Sequence, residues 1–401
     1  MTSPTTHKPT VIIAGAGIGG IATALALARL GMSVTVLEQA PTLGEIGAGL
    51  QLAPNAFAAL DALGVGAAVR DRAVFTERLV MMDAVDCSEV GAFEVGAPFR
   101  ERFGNPYAVI HRADIHTAIL EHVQGTPHIE LVTSCHIGAI EQDGTGVTVL
   151  ASDGRRFRAE YLIGCDGIKS IAREVVVGDA VRVSGHVVYR AVVPAAEMPE
   201  ELRWNAPVLW AGPNCHLVHY PLRSGDQYNL VVTFHSREQE TWDVRDGSKD
   251  EVLSYFTGIA DLPRKLLHCP SSWRRWSTAD RNPVENWTKG RITLLGDAAH
   301  PTLQYLAQGA CMALEDAVTL GEAVRHCDFD MRAAFALYQK SRIARTARVV
   351  LSAREMGRLY HAHGVERLVR NDLWKGRDQA GFYNALEWLY GWTAAGCLAT
   401  D

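Results

Sequence analysis

The first forty residues carry a short apolar run, a glycine cluster and apolar positions at helical spacing. Residues 11–14 are all apolar, as is typical of buried parallel strands. Apolar residues then recur every three or four positions until Gly31, and a stretch rich in β-branched residues, 33–38, follows. This pattern predicts a strand, a helix and a second strand at the start of a parallel sheet.

The rest of the chain alternates between helical and period-two patterns. Asp153-Gly154 supplies a hairpin turn between two alternating stretches. The patterns predict helices over residues 54–63, 113–123, 309–324 and 331–363, and strands over residues 107–110, 186–193, 216–222, 228–234 and 291–295 and within residues 129–163.

Parallel-strand and glycine-turn patterns occur near both ends of the chain. The stretch between them instead shows strand patterns typical of a separate sheet. We therefore expect an α/β fold in which one Rossmann-like domain is interrupted by another domain. Residues 1–183 and 281–365 are assigned to the Rossmann-like domain, residues 184–280 to a mostly antiparallel β-sheet domain, and residues 366–401 to a C-terminal helical and aromatic tail.

Composition narrows the class of protein. The chain of 401 residues has a net charge of −6 and no block of Lys or Arg, which argues against nucleic acid as a partner. Its eight cysteines are scattered without a CxxC pair, so we expect no metal site, no disulfide framework and a reducing, cytoplasmic location. Glycines interrupt the apolar stretch 11–30, so we expect no membrane span.

Residues 15–20 read Gly-Ala-Gly-Ile-Gly-Gly and fit the pattern G-x-G-x-x-G. Gly15 permits the tight turn, Gly17 lets a pyrophosphate approach the backbone, and Gly20 lets the helix pack closely on the strand. Glu38 ends the second predicted strand, where a carboxylate accepts hydrogen bonds from ribose hydroxyls. The motif predicts a dinucleotide site without distinguishing NAD from FAD.

Two further motifs indicate which dinucleotide is bound. Asp166-Gly167 follows a predicted strand, and residues 296–301 read Gly-Asp-Ala-Ala-His-Pro. In order and spacing, and with the segment 309–317, these motifs resemble those of the flavoprotein aromatic hydroxylases, whose fold is para-hydroxybenzoate hydroxylase-like. The resemblance covers nearly the whole chain. It implies tightly bound FAD and a substrate-binding role for the interrupting sheet domain.

The resemblance also implies which residues contact FAD. Asp297 is expected to meet the ribityl chain, for which a carboxylate is a suitable acceptor, and Arg112 the phosphate and ribose region. A helix that starts at Gly309 and Ala310 points its N-terminal donors at the flavin's pyrimidine edge, which becomes anionic on reduction. Asp166 is expected in the same site.

The resemblance further implies that O2 and NADH, or NADPH, are co-substrates. A second G-x-G-x-x-G for the nicotinamide cofactor is missing from the sequence, which suits a reductant that docks transiently. Glu38 disfavours a 2′-phosphate only on the tightly bound dinucleotide, so it does not decide between NADH and NADPH. The resemblance leaves a homodimer open.

Three segments, residues 104–107, 214–223 and 301–307, indicate the substrate class. They resemble the branch of the family that hydroxylates 3-hydroxybenzoate to 2,5-dihydroxybenzoate (gentisate). In that reaction an electrophilic flavin C4a-hydroperoxide transfers oxygen to the ring. A small phenolic acid is therefore the expected substrate.

A phenol attacks an electrophilic oxygen far better once it is ionised. With a pKa near 10, only about one phenol in a thousand is ionised at pH 7, a deficit of roughly 4 kcal/mol. Alternation along a strand places His216 and Tyr220 on one face and His219 on the other. We expect His216 to take the proton and Gln304 to hydrogen-bond the same oxygen. Tyr107 and Tyr220 are expected to orient the ring or its carboxylate. Tyr220 is also a predicted catalytic residue.

Three alternatives remain open. A salicylate 1-hydroxylase or a related decarboxylating hydroxylase shares the flavin motifs, although the segment around Gln304 argues against it. A plain NAD-dependent dehydrogenase leaves Asp297 without a role. A flavin-binding protein without catalysis also fits the cofactor motifs.

Four arginines recur along the predicted helix 331–363: Arg342, Arg345, Arg348 and Arg354. Such a face can contact a membrane or a partner. We predict a solvated face instead, as is usual for charges on a helix of an acidic protein.

Overall fold

The computed structural model describes residues 7–44 and 48–398, so the predicted outer bounds at residues 1 and 401 lie outside the described residues. The described strands, in chain order, are β1 (Val11–Ala14), β2 (Val34–Leu37), β3 (Gly49–Leu52), β4 (Val74–Phe75), β5 (Arg78–Asp83), β6 (Glu89–Glu94), β7 (Ala108–His111), β8 (Ile129–Val132), β9 (Ile137–Gln142), β10 (Val147–Ala151), β11 (Arg156–Ala159), β12 (Tyr161–Gly164), β13 (Arg182–Pro194), β14 (Val208–Gly212), β15 (Cys215–Leu222), β16 (Gln227–His235), β17 (Val244–Gly247), β18 (Trp273–Asp280), β19 (Thr288–Lys289) and β20 (Ile292–Leu294). The described α-helices are α1 (Ile18–Arg29), α2 (Pro54–Ala62), α3 (Gly66–Arg70), α4 (Ala97–Phe103), α5 (Arg112–Gln124), α6 (Ile171–Val176), α7 (Lys249–Tyr255), α8 (Asp261–His268), α9 (Gly309–His326), α10 (Met331–Tyr360), α11 (Gly364–Leu373) and α12 (Gln379–Tyr390).

A six-stranded sheet with the order β19-β20-β12-β1-β2-β8 forms the first core. β1 pairs in parallel with β2 and β12, and β12 pairs in parallel with β20. Both faces of such a sheet are covered, which is why β1 and β20 are fully buried. The carboxyl ends of β1, β12 and β20 meet at one edge, so the three predicted nucleotide motifs that follow them lie together.

A second, mostly antiparallel sheet has the order β17-β18-β13-β16-β15-β14-β5-β6. Its central strands come from the middle of the chain, as predicted. β5 and β6 precede residue 183, however, and join this sheet through the parallel pairing of β5 with β14. The division of the chain into domains therefore stays a prediction, because membership of this sheet crosses the predicted boundary. The α/β class, with an antiparallel sheet between two parts of a Rossmann-like unit, is confirmed.

Helix α9 packs against α1 across a close contact. A Cβ atom on Gly19 would lie 3.2 Å from the Cβ of Ala313, and one on Gly321 would lie 3.3 Å from the Cβ of Ala26. Small residues on both helices thus allow the second part of the Rossmann-like unit to close on the first. Among the described helices, we find none with the length and apolar character needed to cross a bilayer.

The prediction of a solvated arginine face on α10 is wrong for three of the four arginines, whereas Arg348 is exposed. Arg342 is fully buried and pairs with Glu315 and Asp316 of α9, and Arg345 also pairs with Glu315. Arg354 pairs with a buried carboxylate of β18, and Arg348 lies over a tryptophan ring of α12. The buried carboxylates of α9 require cationic partners, and α10 supplies them from inside the fold.

Candidate active site

The glycine-rich turn after β1 is built on two close backbone contacts. Gly15 has a φ of +99°, a conformation that L side chains rarely adopt, and its N–H donates to the Leu37 carbonyl at 2.8 Å. A Cβ atom on Gly20 would lie 2.0 Å from the Gly15 carbonyl oxygen. Gly15 and Gly20 therefore fix the conformation of the turn through backbone contacts, whereas Gly17 lines the large cavity next to it.

Glu38 fixes this turn to the end of β2. One carboxylate oxygen accepts a hydrogen bond from the Ala16 N–H and the other from the Ala40 N–H, each at 2.8 Å. The side chain is not part of the cavity lining. Its predicted contact with a ribose stays a prediction.

Asp166 braces the turn after β12. Its carboxylate accepts hydrogen bonds from the Ser170 hydroxyl at 2.5 Å and the Ala172 N–H at 3.1 Å, and burial raises its pKa. The residues on either side, Cys165 and Gly167, line the cavity, while Asp166 lies outside the lining. Its predicted cofactor contact also stays a prediction.

A buried arginine connects the second and third nucleotide motifs. Arg173, in α6, donates to the carbonyls of Ala298 and Ala299 at 3.0 and 2.5 Å and pairs with Asp179. Two segments more than a hundred residues apart in sequence are thereby held in contact. This contact supports the prediction that the two motifs form one site.

The turn at Gly296 and Asp297 is anchored from α9. The Gly296 N–H donates to Asp316 at 3.0 Å, and His300 contacts the same carboxylate at 2.6 Å. Burial alone would raise the pKa of Asp316, but the charges of His300 and Arg342 outweigh it and hold this pKa below its ordinary value. The result is a rigid turn in which Asp297 lines the cavity.

The cavity has a volume of about 1100 Å³. This lies at or above the upper end of the range of roughly 300–1,000 Å³ for small-molecule sites, so a dinucleotide and a second ligand fit together. Five of the nine predicted cofactor residues line it: Gly17, Arg112, Asp297, Gly309 and Ala310. Because α9 begins at Gly309, its free N–H groups and positive dipole end face the cavity. This donor set fits FAD.

All four predicted substrate residues, Tyr107, His216, Tyr220 and Gln304, line the same cavity. As strand alternation predicts, His219 points away from it and bonds the Leu202 carbonyl at 3.0 Å. These placements do not by themselves establish roles.

Hydrogen bonds and packing hold three of these side chains in place. The Tyr107 hydroxyl donates to Gln51 at 2.6 Å. The Gln304 amide lies 3.4 Å from the Thr233 hydroxyl. The Tyr220 ring packs so closely on Gly49 that a Cβ there would lie 2.5 Å from it.

His216 is buried and neutral. Burial lowers its pKa to about 3, and the neighbouring His186 adds to the effect. Its Nδ1 lies 2.8 Å from Nε2 of His361, a residue that follows the last turn of α10. Sequence reasoning missed His361 because nothing in a helix-end histidine signals contact with a strand about 145 residues earlier.

Arg190 is a second cavity residue that sequence reasoning missed. It lines the cavity from β13, and burial lowers the pKa of its guanidinium, while Tyr220 acts in the opposite direction. Its guanidinium carbon lies 5.7 Å from the Trp276 ring centroid. A signal was present in the sequence, since a single arginine interrupts the apolar run of residues 187–193.

Comparison with known proteins identifies close relatives. The chain is 62% identical to a 3-hydroxybenzoate 6-hydroxylase of Polaromonas naphthalenivorans (strain CJ2) over 98% of both chains. It is 64% identical to a 3-hydroxybenzoate 6-hydroxylase of Klebsiella oxytoca, over 96% of this chain and 98% of that protein.

Solved structures agree with these relatives. A variant of HpxO from Klebsiella pneumoniae complexed with FAD superimposes with a TM-score of 0.84 at 25% identity, over 96% of this chain and 99% of that one. A salicylate hydroxylase in a substrate complex gives 0.82 at 26% identity over 98% of both chains. The family model described as FAD binding domain matches residues 8–348. The chain thus belongs to the FAD binding domain family and is a flavin-dependent aromatic monooxygenase.

Proposed function

We propose that this enzyme hydroxylates 3-hydroxybenzoate at ring position 6 to give 2,5-dihydroxybenzoate (gentisate), with NADH and O2 as co-substrates. One observation carries the proposal: a buried, neutral His216 lines the same cavity as Gln304 and the cofactor residues. The names of the relatives at 62% and 64% identity support the same substrate. A reducing compartment such as the cytoplasm suits the eight cysteines, all of which are free thiols.

FAD is assigned to the end of the cavity lined by Gly17, Arg112, Asp297 and the start of α9. Asp166 and Glu38 hold the two turns that shape this end. Glu38 is also proposed to accept hydrogen bonds from the ribose hydroxyls. When bound here and reduced by NADH, FAD would activate O2, from which one oxygen atom is transferred to the ring. The protein's part is to hold the ring next to it, remove a proton and exclude water.

His216 is proposed as the base that takes the phenolic proton. Its Nδ1 is engaged by His361, which leaves Nε2 as the nitrogen for the substrate. Gln304 reaches the cavity from the segment before α9 and donates to the same phenolic oxygen. A neutral imidazole can accept a proton, and a donor amide stabilises the phenolate that forms.

Arg190 is proposed to bind the substrate carboxylate together with Tyr220. Both line the cavity, and the two groups interact electrostatically. A carboxylate bound by a desolvated guanidinium forms a charge-assisted hydrogen bond, worth roughly 1.5–3 kcal/mol. Tyr107, the residue just before β7, is proposed to position the ring. Anchoring both ends of the ring fixes the carbon that is hydroxylated.

The second candidate is salicylate hydroxylation. It is favoured by one observation, the structural likeness to a salicylate hydroxylase substrate complex at 26% identity. The more similar relatives favour 3-hydroxybenzoate. Both substrates carry a phenol and a carboxylate, but the angle between these groups differs, so the products distinguish them.

Product analysis tests the proposal. FAD-loaded enzyme is incubated separately with 3-hydroxybenzoate, salicylate and 4-hydroxybenzoate, each with NADH and then with NADPH, in air. We expect 2,5-dihydroxybenzoate from 3-hydroxybenzoate, formed faster with NADH. Catechol from salicylate as the main product, or no hydroxylated product from 3-hydroxybenzoate, would refute it.

A further inference from the structure

Gln308 is the residue immediately before helix α9, and its side chain lines the large cavity although the residue is almost fully buried. We propose that Gln308 is a further flavin-binding residue, whose amide donates a hydrogen bond to the pyrimidine edge of FAD, and that Asn55 is a positioning residue that fixes the orientation of this amide. The proposal rests on the proposed position of FAD at the start of α9. It does not depend on the identity of the aromatic substrate.

A buried carboxylate of α9, that of Glu315, is ionised. Arg342 donates a hydrogen bond to one of its oxygens at 2.6 Å, and Arg345 donates to both at 2.7 Å. Burial alone would raise the pKa of Glu315, but the charges of Arg345 and Arg342 outweigh it and hold this pKa below its ordinary value. An ionised carboxylate has no hydrogen to donate, so both of its oxygens are acceptors only.

This charge fixes which end of the Asn55 amide faces α9. Asn55 belongs to α2 and is fully buried, and its Nδ2 donates to a Glu315 oxygen at 2.5 Å. The reverse orientation of the amide would bring its oxygen against the ionised carboxylate. Two acceptors in contact at a buried site are costly, because neither is satisfied by the other. The NH2 group of Asn55 therefore has to face Glu315.

The same NH2 group fixes the amide of Gln308. Asn55 Nδ2 also donates to Gln308 Oε1, at 2.8 Å. Since a donor requires an acceptor, the oxygen of Gln308 is directed at Asn55, and the NH2 group of Gln308 is the end of the amide that remains for a ligand in the cavity. The charge of Glu315 thus determines, through two amides in series, that the cavity wall presents a donor here.

A donor at this position suits reduced flavin. Gln308 adjoins Gly309 and Ala310, which line the same cavity at the first turn of α9. The pyrimidine edge of flavin is neutral when oxidised and becomes anionic on reduction. Hydrogen bonds to an ionised acceptor are roughly twice as strong as those between neutral groups. The Gln308 donor should therefore favour reduced FAD over oxidised FAD and raise the reduction potential of the bound flavin.

The reduction potential of bound FAD tests the proposal in the absence of any aromatic substrate. FAD-loaded enzyme is titrated anaerobically with dithionite beside a reference dye, and the affinity for oxidised FAD is measured in parallel. In Gln308→Met, which keeps the length of the side chain and removes the amide, we expect the affinity for reduced FAD to fall about tenfold more than that for oxidised FAD. For a two-electron couple, this corresponds to a potential about 30 mV more negative.

A second variant and a matched control accompany this measurement. Gln308→Glu keeps an acceptor for Asn55 but places an anionic oxygen where the donor was, so its potential should be more negative than that of Gln308→Met. Gln339→Met removes an amide of α10 whose Oε1 accepts a hydrogen bond from the Trp287 N–H at 2.9 Å, outside the cavity lining, and should leave the potential unchanged. The wild-type potential in both Gln308 variants, or an equal shift in Gln339→Met, would overturn the proposal.

A double-mutant cycle tests the positioning role of Asn55. In Asn55→Ala the Gln308 amide loses the group that orients it, so we expect a shift in the same direction as in Gln308→Met. Because Asn55 acts only through Gln308, the double variant should have the potential of Gln308→Met alone. Additive shifts, or the wild-type potential in Asn55→Ala, would show that Asn55 does not position this amide. Absence of any hydroxylated product from the wild-type enzyme would instead refute the proposed function and leave these potentials unchanged.

Discussion

A single buried side chain, His216, carries the chemical step of the proposed reaction. Its neutrality follows from burial, and its orientation follows from the alternation of β15 and the hydrogen bond to His361. Removing a proton at this point lowers the barrier to attack by the ring. Replacement of this residue should therefore affect chemistry more than binding.

For His216→Gln we expect the rate of substrate hydroxylation to fall about 10²- to 10⁴-fold, the usual contribution of a general base. Reduction of FAD by NADH in the presence of substrate should continue, so NADH oxidation becomes uncoupled from product formation. Parallel assays of NADH consumption and 2,5-dihydroxybenzoate check this. A variant that hydroxylates at the wild-type rate would remove His216 from the mechanism.

Arg190 is expected to govern affinity through the carboxylate. In Arg190→Met, loss of a charge-assisted hydrogen bond should raise KM for 3-hydroxybenzoate by roughly ten- to a hundredfold. The matched ligand is 3-hydroxybenzyl alcohol, which has the phenol but no carboxylate, and its binding should be nearly the same in both proteins. Equal losses for both ligands would show that Arg190 supports the cavity and does not recognise the carboxylate.

Among the elements, the turn after β1 is the least tolerant of change. In Gly20→Ala the new Cβ would lie 2.0 Å from a backbone oxygen, so the turn has to move away from the pyrophosphate position. We expect FAD affinity to fall tenfold or more, about 1.4 kcal/mol. Gly144→Ala, where nothing lies within 4 Å of the added atom, is the control. Equal FAD affinity in the two variants would contradict the proposed cofactor position.

Local patterns predicted most of the elements that build the site. The fully buried β1, the alternating β15 and the helix start at Gly309 lie within one or two residues of their predicted bounds. Each of these elements has a clear apolar pattern and is flanked by a turn signal. Their sequences alone therefore specify where they lie in the chain.

Pairings across long sequence distances could not be predicted from such patterns. β5 joins the second sheet only through β14, about 130 residues later. In the same way, Arg342 has the spacing of a surface arginine, and only its pairing with Glu315 and Asp316 makes burial favourable. His361 near His216 belongs to this group. In these cases the position of a residue or strand in the fold depends on its partner, and its own residue type does not reveal that partner.

At the scale of the whole molecule, buried neutral histidines make stability depend on pH. Burial lowers the pKa of His216 to about 3 and those of His219 and His186 to about 4, against 6.5 when unfolded. Below pH 6.5 the unfolded chain therefore binds protons that the folded protein does not. The contribution of these histidines to the free energy of unfolding is therefore fully present above pH 6.5. It is lost as the pH falls towards 4, by at most about 1.4 kcal/mol per pH unit for each histidine.

Urea unfolding of the FAD-loaded protein at pH 7 and pH 5 measures this loss. We expect a clearly smaller free energy of unfolding at pH 5, and a smaller difference between the two pH values in His219→Gln. Carboxylates with lowered pKa values, such as Asp316, act below this window. The same free energy at both pH values would contradict the buried, neutral state of these rings.

The central claim is that one cavity holds FAD and a phenolic acid side by side. Titration of FAD-loaded protein with 3-hydroxybenzoate, followed through the visible absorbance of the flavin, tests it most directly. The expected result is a saturable change in the flavin spectrum at one substrate per FAD. Protein that retains no flavin, or a flavin spectrum that does not change at saturating 3-hydroxybenzoate, would contradict it.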